Sequence, residues 1–160
     1  MRIMVISDTH NNDWRFLDAL QDAGKIDAVI HAGDGEGHED ICEETAGVPF
    51  YYVAGNNDYE SDAPRDMVFE LLGHRIFLTH GHRYRVRMKP ELIRKEARAR
   101  HADILIYGHT HVPLAEQDGD LLVLNPGSTT YPYFPCARPT YILLELEEGK
   151  DPVWEIRYLD

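Results

Sequence analysis

The sequence predicts an α/β fold in which two sheets pack together beneath outer helices. Three features predict it. Short, nearly unbroken apolar runs have strand length, helix-length segments alternate with them in the first half, and hairpin-like strand pairs fill the second. Residues 2 to 6 (Arg2-Ile3-Met4-Val5-Ile6) are almost continuously apolar and stop at Ser7, as suits a strand buried on both faces. Asp13 is placed to cap a helix reaching about Gly24, with Trp14, Leu17, Ala19 and Leu20 among its apolar positions. Asp27 to His31 gives a second strand, followed by the glycine-rich turn Gly33 to Gly37. A helix over Glu39 to Ala46 leads past Pro49 to a third strand, Phe50 to Val53. Strand, helix, strand, helix, strand implies crossovers and a parallel sheet.

After that the pattern changes. Asp66 to Leu72 and His74 to Thr79 read as an antiparallel hairpin turning at Gly73. Pro90 suits the first turn of a helix reaching about Arg100, and Asp103 to Tyr107 is another short apolar strand. Val112 to Glu116, Leu121 to Leu124, Tyr141 to Leu146 and Val153 to Tyr158 look like a meander, and the Pro-rich piece from Asn125 to Pro139 reads as a long loop. With 160 residues and no linker, repeat or low-complexity segment, the expectation is one domain over 1–160.

Composition narrows the function. Sixteen Lys and Arg stand against 28 Asp and Glu, a net charge of −12, which argues against general nucleic-acid binding. Eight of those 16 cations fall between Arg83 and Arg100. Arg94 to Arg100 read as a solvated helix face, whereas Arg83, Arg85 and Arg87 are positioned to border an anion site. After Met1-Arg2 only four apolar residues precede Ser7, too few for a signal-peptide core, and no run has membrane-spanning length. The two cysteines, Cys42 and Cys136, make neither a CxxC pattern nor a disulfide framework, so the expected location is cytoplasmic. The oligomeric state is left open.

The chemistry lies in five clusters standing just past apolar runs: Asp8-Thr9-His10, Gly33-Asp34, Gly55-Asn56-Asn57-Asp58, Thr79-His80-Gly81-His82 and Gly108-His109-Thr110-His111. Ligands of an open α/β sheet bind beyond the carboxyl ends of its strands, so Asp8, Asp34, Asn56, His80 and His109 should converge on one edge. Carboxylate, amide and imidazole donors from several strand ends suit a pair of divalent cations, and no thiolate takes part. Two such cations carry four positive charges, of which Asp8, Asp34 and a bridging hydroxide remove three, leaving a centre that attracts a phosphate. Coordination lowers the pKa of water to roughly 7, and paired metals about 3.5–4 Å apart can clamp an in-line displacement. Phosphoester hydrolysis is the reaction class that follows.

These motifs resemble those of the calcineurin-like metallophosphoesterase superfamily, and within it the YfcE-type phosphodiesterases. The likeness covers the clusters from Asp8 to His111 and continues through Asn125-Pro126-Gly127-Ser128. It implies a four-layer αββα sandwich of two mixed β-sheets flanked by helices, the metallophosphoesterase fold. It also implies one metal on Asp8, His10, Asp34 and His111, and a second on the bridging Asp34 with Asn56, His80 and His109. The implied ions are two Mn²⁺, with Ni²⁺, Fe²⁺ or Zn²⁺ as substitutes. Many members carry Gly-Asn-His-Asp or Gly-Asn-His-Glu, whose His assists the leaving group; here Asn57 occupies that position and cannot donate a proton as an acid. The expectation is a diesterase acting on a small phosphodiester, with weak monoesterase activity and no catalytic side chain beyond the hydroxide. Asn57 and His82 are the candidate substrate contacts. The alternative is a catalytically weak interaction scaffold of the VPS29 type, against which the intact ligand set argues.

Other residues have plainer readings. His31 falls inside a strand and reads as a core histidine; His38, His74 and His101 read as surface residues. Asp58 is placed to hold Asn57 or to cap the next turn. Specificity is expected in loops such as Ser61–Arg65 and Tyr131–Arg138.

Overall fold

A computed structural model describes residues 1–133 and 138–160, so Cys136 and the middle of the Tyr131–Arg138 loop lie outside the described residues. The elements run β1 (Arg2–Ile6), α1 (Asp13–Ala23), β2 (Ala28–His31), α2 (Glu39–Ala46), β3 (Phe50–Tyr52), β4 (Asp66–Leu71), β5 (His74–Thr79), α3 (Pro90–Ala99), β6 (Ile104–Ile106), β7 (Leu114–Asp118), β8 (Leu121–Asn125), β9 (Thr140–Glu145) and β10 (Val153–Tyr158). A 3₁₀ turn covers His82–Tyr84. Among the described residues the strands form two five-stranded sheets, ordered β10-β9-β1-β2-β3 and β4-β5-β6-β8-β7. Both are mixed: β1, β2 and β3 run parallel, as do β5, β6 and β8, and antiparallel strands complete each sheet.

Alternation of side chains along each strand builds the layers. Ile3 and Val5 point from β1 into the space between the sheets, where they meet Ile76, Leu78, Ile104, Ile106, Leu122 and Leu124. Met4 and Ile6 take the other face and pack with Phe16, Ala19 and Ala23 of α1. Phe77, Leu105 and Val123 cover the far side of the second sheet beneath Ile93 and Ala97 of α3. The order is helix, sheet, sheet, helix. Both faces of the central strands are therefore covered, which is why their sequences run apolar without a break. At the edge, Tyr51 of β3 stacks on Phe69 of β4, ring centres 4.4 Å apart.

Some local expectations need correction. The last four strands do not form one meander: β7 and β8 are a hairpin in the second sheet, whereas β9 and β10 join the first, with β9 against β1. The reason is visible in β8 and β9, which are buried at nearly every position and so belong inside sheets. Strand β7 begins at Leu114 rather than Val112, because Val112 N–H is held by Thr110 Oγ1 in a turn and Pro113 has no N–H to give. Asn12, not Asp13, caps α1, its side chain accepting from Arg15 N–H. Trp14 leaves the apolar face and is 78% exposed. The α3 cations reach another element: Arg94 pairs with Glu116 and Asp118, and Arg98 with Asp118 and Asp120.

Candidate metal centre

Parallel strands deliver the clusters. Asp8 follows β1, Asp34 follows β2, Asn56 follows β3, His80 follows β5, and His109 and His111 follow β6. Because these strands point the same way within each sheet, their carboxyl ends bring the residues together across the sandwich. Two groups of donors result, Asp8 with His10 and His111, and Asp8 with Asp34 and His80. Asp8 is common to both. Asn56 Oδ1 lies 3.0 Å from His80 Nε2, and the His109 ring centre is 5.2 Å from that of His80.

The imidazoles are aimed by what their other nitrogens do. His80 Nδ1 donates to the Ala32 carbonyl at 2.7 Å, His111 Nδ1 to the Tyr131 carbonyl at 2.7 Å, and His10 Nδ1 to the Glu36 carboxylate at 2.7 Å. Each bond places the proton on Nδ1 and leaves Nε2 free to face inward, the arrangement of metal-ligating histidines. Inward, His111 Nε2 stands 3.0 Å from Asp8 Oδ1 and 3.4 Å from His10 Nε2, while His80 Nε2 stands 3.4 Å from Asp34 Oδ2.

The carboxylates are oriented as tightly. Asp8 is fully buried; its Oδ2 accepts from Ser7 Oγ at 2.6 Å and from His109 N–H at 3.1 Å, and its Oδ1 has no hydrogen-bond partner. A buried carboxylate oxygen without a donor, surrounded by inward-facing ring nitrogens, fits a cation. Asp34 accepts from Asn57 at both oxygens, the backbone N–H at 2.9 Å and the side-chain amide at 2.7 Å. A Cβ on Gly55 would collide with Asp34 Oδ1, so only glycine admits this approach. The backbone is unusual as well. Asp8, His10, Asp34, His109 and His111 all adopt positive φ, between 46° and 67°, a region non-glycine residues seldom occupy.

The expected substrate contacts sit at the edge of this centre. Asn57 turns its amide onto Asp34, and His82 is half-buried with its Nδ1 unpartnered and its ring 5.4 Å from that of His80. Arg87 alone of the three flanking arginines bonds a cluster residue, donating to the His109 carbonyl at 2.7 Å; Arg83 turns to Asp66. His31 is a core histidine as expected, accepting from Gly33 N–H on Nδ1 and bonding Thr9 Oγ1 through Nε2; burial holds its pKa down to about 4.

Sequence reasoning missed several supports. Asp58 does not hold Asn57; its carboxylate accepts three backbone N–H groups, from Asp34 at 2.7 Å, Gly55 at 2.6 Å and Glu36 at 2.7 Å, fixing the turn that carries Asp34. Ser128 Oγ donates to the Asp8 carbonyl and Thr130 Oγ1 to that of Thr9, both at 2.8 Å, so the loop after β8 clamps the first cluster from 120 residues away. No local signal marks Glu36 as the partner of His10, and Ser128 is marked only by the Asn125-Pro126-Gly127-Ser128 likeness, since the partners of both are distant in the chain. Asp58 had one, its place in the Gly55–Asp58 cluster.

Comparisons with known proteins give the family and the fold. Residues 1–149 match the model of the calcineurin-like phosphoesterase superfamily domain. The chain belongs to that superfamily. A probable metallophosphoesterase of Mycoplasma pneumoniae is 34% identical over 152 residues, covering 93% of this chain and 92% of its own. Phosphodiesterase YfcE of Escherichia coli is 40% identical over 89 residues, half of this chain and 44% of the relative. The crystal structure of YfcE superposes with a TM-score of 0.69 at 27% identity, over 91% of this chain and 88% of that one. The Zn²⁺ complex of Vps29 from Entamoeba histolytica shares the fold, with a TM-score of 0.76 at 24% identity over 99% of both chains. The metallophosphoesterase sandwich and a phosphoesterase with candidate divalent-metal ligands are thus shown. Among the described residues no helix is long and apolar enough to cross a membrane.

The electrostatics of this candidate centre give a prediction for metal removal. Burial lowers the pKa values of His80 and His111, but the Asp34 carboxylate beside His80 and the Asp8 carboxylate beside His111 outweigh it and raise both. Burial likewise raises Asp8 and Asp34, but the neighbouring imidazoles outweigh it and lower both. For the two histidines, stabilisation of the metal-free protein is complete below about pH 6.5, the usual imidazole value, and is lost as pH rises through their raised folded values. Cation binding needs the same rings neutral, so it strengthens over that rise. The gap between the melting temperatures of Mn²⁺-loaded and chelated protein should therefore widen from pH 6 to pH 8. At a hundredfold excess over Kd it should reach about 5–10 °C. A gap that narrows with rising pH would contradict the inward-facing geometry.

Proposed function

We propose that this protein hydrolyses small phosphodiesters with two divalent cations, Mn²⁺ by preference, held by Asp8, His10, Asp34, Asn56, His80, His109 and His111. The carrying observation is that His10, His80 and His111 each bind outward through Nδ1 and turn Nε2 toward the partnerless Asp8 Oδ1 and its neighbours. Divalent cations in such a cage supply Lewis acidity toward a phosphoryl oxygen and acidify water to near neutral pH. The chain's own contribution is orientation. Ser7 and the His109 N–H hold Asp8, Asn57 holds Asp34, and the Nδ1 bonds prevent the rings from turning.

Preference for diesters follows from the proton inventory. At the position where many relatives place an acid, Asn57 donates its amide to Asp34 and has no proton to transfer. Lacking that acid typically costs about 10²–10⁴-fold, most severely for poor alkoxide leaving groups. The likeness to phosphodiesterase YfcE supports the same preference. The test compares an aryl phosphodiester with the matching aryl monoester across a manganese titration. The expected result is a kcat/KM at least about tenfold higher for the diester. Faster monoester cleavage overturns the diesterase proposal, and wild-type inactivity on both at saturating metal favours a scaffold of the Vps29 kind.

A further inference from the structure

Two surfaces beside the metal centre differ in chemistry. One borders a 610 Å³ cavity lined by Asn11, Glu36, Glu39, Asn57, Tyr59 and Glu60, with three carboxylates around a single space. The other, beside His10 and His111, carries Tyr131, Tyr133 and Arg87. Tyr131 is 56% exposed with its ring centre 5.2 Å from that of His10; Tyr133 is 45% exposed and stacks on His111 at 4.6 Å, its plane tilted by 23°. The Arg87 guanidinium lies 5.4 Å from the Tyr133 ring centre.

We infer that the Tyr131–Tyr133–Arg87 wall seats a planar aromatic arm of the substrate, a nucleoside or aryl group, so that the enzyme takes small diesters bearing one such arm. This deepens, and rests on, the phosphoesterase function proposed above. Two exposed aromatic rings beside the candidate ligands offer stacking area at the site, and the backbone that presents them is hydrogen-bonded to it. Tyr131 N–H donates to Ser128 Oγ at 2.9 Å and its carbonyl accepts from His111, while Tyr133 N–H donates to the His111 carbonyl at 3.3 Å. Rings held on a rigid backbone lose little entropy when a flat group stacks on them. Arg87, anchored on the His109 carbonyl, adds a planar cation of the kind that stacks on aromatic faces and meets a singly charged diester. The acidic cavity on the Asn57 side repels a second phosphate, and the net charge of −12 disfavours long polyanions. A small diester with one flat arm suits both surfaces.

The experiment uses two p-nitrophenyl diesters with the same leaving group, one retaining a methyl arm and the other a thymidine arm, on the Mn²⁺-loaded protein. Wild type should favour the thymidine ester by roughly 5–100-fold in kcat/KM, the range expected for one stacked base. Tyr133→Leu and Tyr131→Leu should each lower that ratio by at least about fivefold, and Tyr133→Phe should retain it. Were the tyrosines only supports for His10 and His111, both esters would slow together and the ratio would stay fixed, which overturns the inference. Should Tyr133→Leu fail to fold, Tyr131→Leu carries the test. Calorimetric binding of thymidine 5′-monophosphate against methyl phosphate reads the wall without turnover. If wild type cleaves neither ester, the phosphoesterase proposal fails, while the binding ratio still decides the aromatic wall. Equal affinities for the two monophosphates refute it, and tighter nucleotide binding lost in Tyr131→Leu upholds it.

Discussion

Asp34→Ala is expected to lower kcat/KM by at least about 10³-fold, because several kcal/mol of Lewis-acid stabilisation would go with the ions, at 1.36 kcal/mol per decade. Asp34 Oδ2 is the carboxylate oxygen facing His80 Nε2, 3.4 Å away, and its removal leaves that ring opposite the neutral Asn56 oxygen. The alanine also strands the Asn57 backbone N–H and amide, which now end on Asp34. Less negative charge and a loosened ligand both weaken cation binding, so excess manganese should restore little. The check is a full manganese titration of wild type and variant on an aryl diester, with bound metal counted by elemental analysis. A variant that keeps wild-type turnover and stoichiometry would remove Asp34 from the centre.

Asp58→Ala should be the more damaging change to stability, lowering it by about 3–5 kcal/mol, as when one partner of a buried charged network is removed. Asp58 is 2% exposed and accepts from three backbone N–H groups at 2.6–2.7 Å, with Tyr52 OH as a further neighbour. Alanine leaves those donors buried and unpaired. For a chain of this length the melting temperature should fall by about 6–20 °C. Metal affinity should weaken by about 10–100-fold, since the turn presenting Asp34 loses its anchor. Thermal melts with and without manganese read both effects, and a midpoint within about 2 °C of wild type would show that the turn stands without Asp58.

Much of the molecule was legible because two kinds of signal were local. Unbroken apolar runs marked β1, β2 and β6, and their ends marked where Asp8, Asp34 and His109 would lie. The β4–β5 hairpin was readable from Gly73, which with Leu72 makes the two-residue turn in positive φ. Partition of strands between sheets was not legible, because β7 to β10 are alike in length and only their neighbours distinguish them. Nor were the groups that orient the ligands: the carbonyls of Ala32 and Tyr131 are present whatever residue occupies those positions. A backbone acceptor leaves no trace in sequence.

The left-handed turns at Asp8, His10, Asp34, His109 and His111 have a consequence for how such a protein can change. On backbone conformation alone each position would be more comfortable as glycine, by on the order of 1 kcal/mol. The contacts of the side chains offset that strain in part: Asp8 holds Ser7 and the His109 N–H, and Asp34 holds Asn57 at both oxygens. Under the proposed metal-binding role, a lineage released from chemistry would keep these residues only where such bonds outweigh the strain, and glycine would enter first at the turns whose side chains hold least.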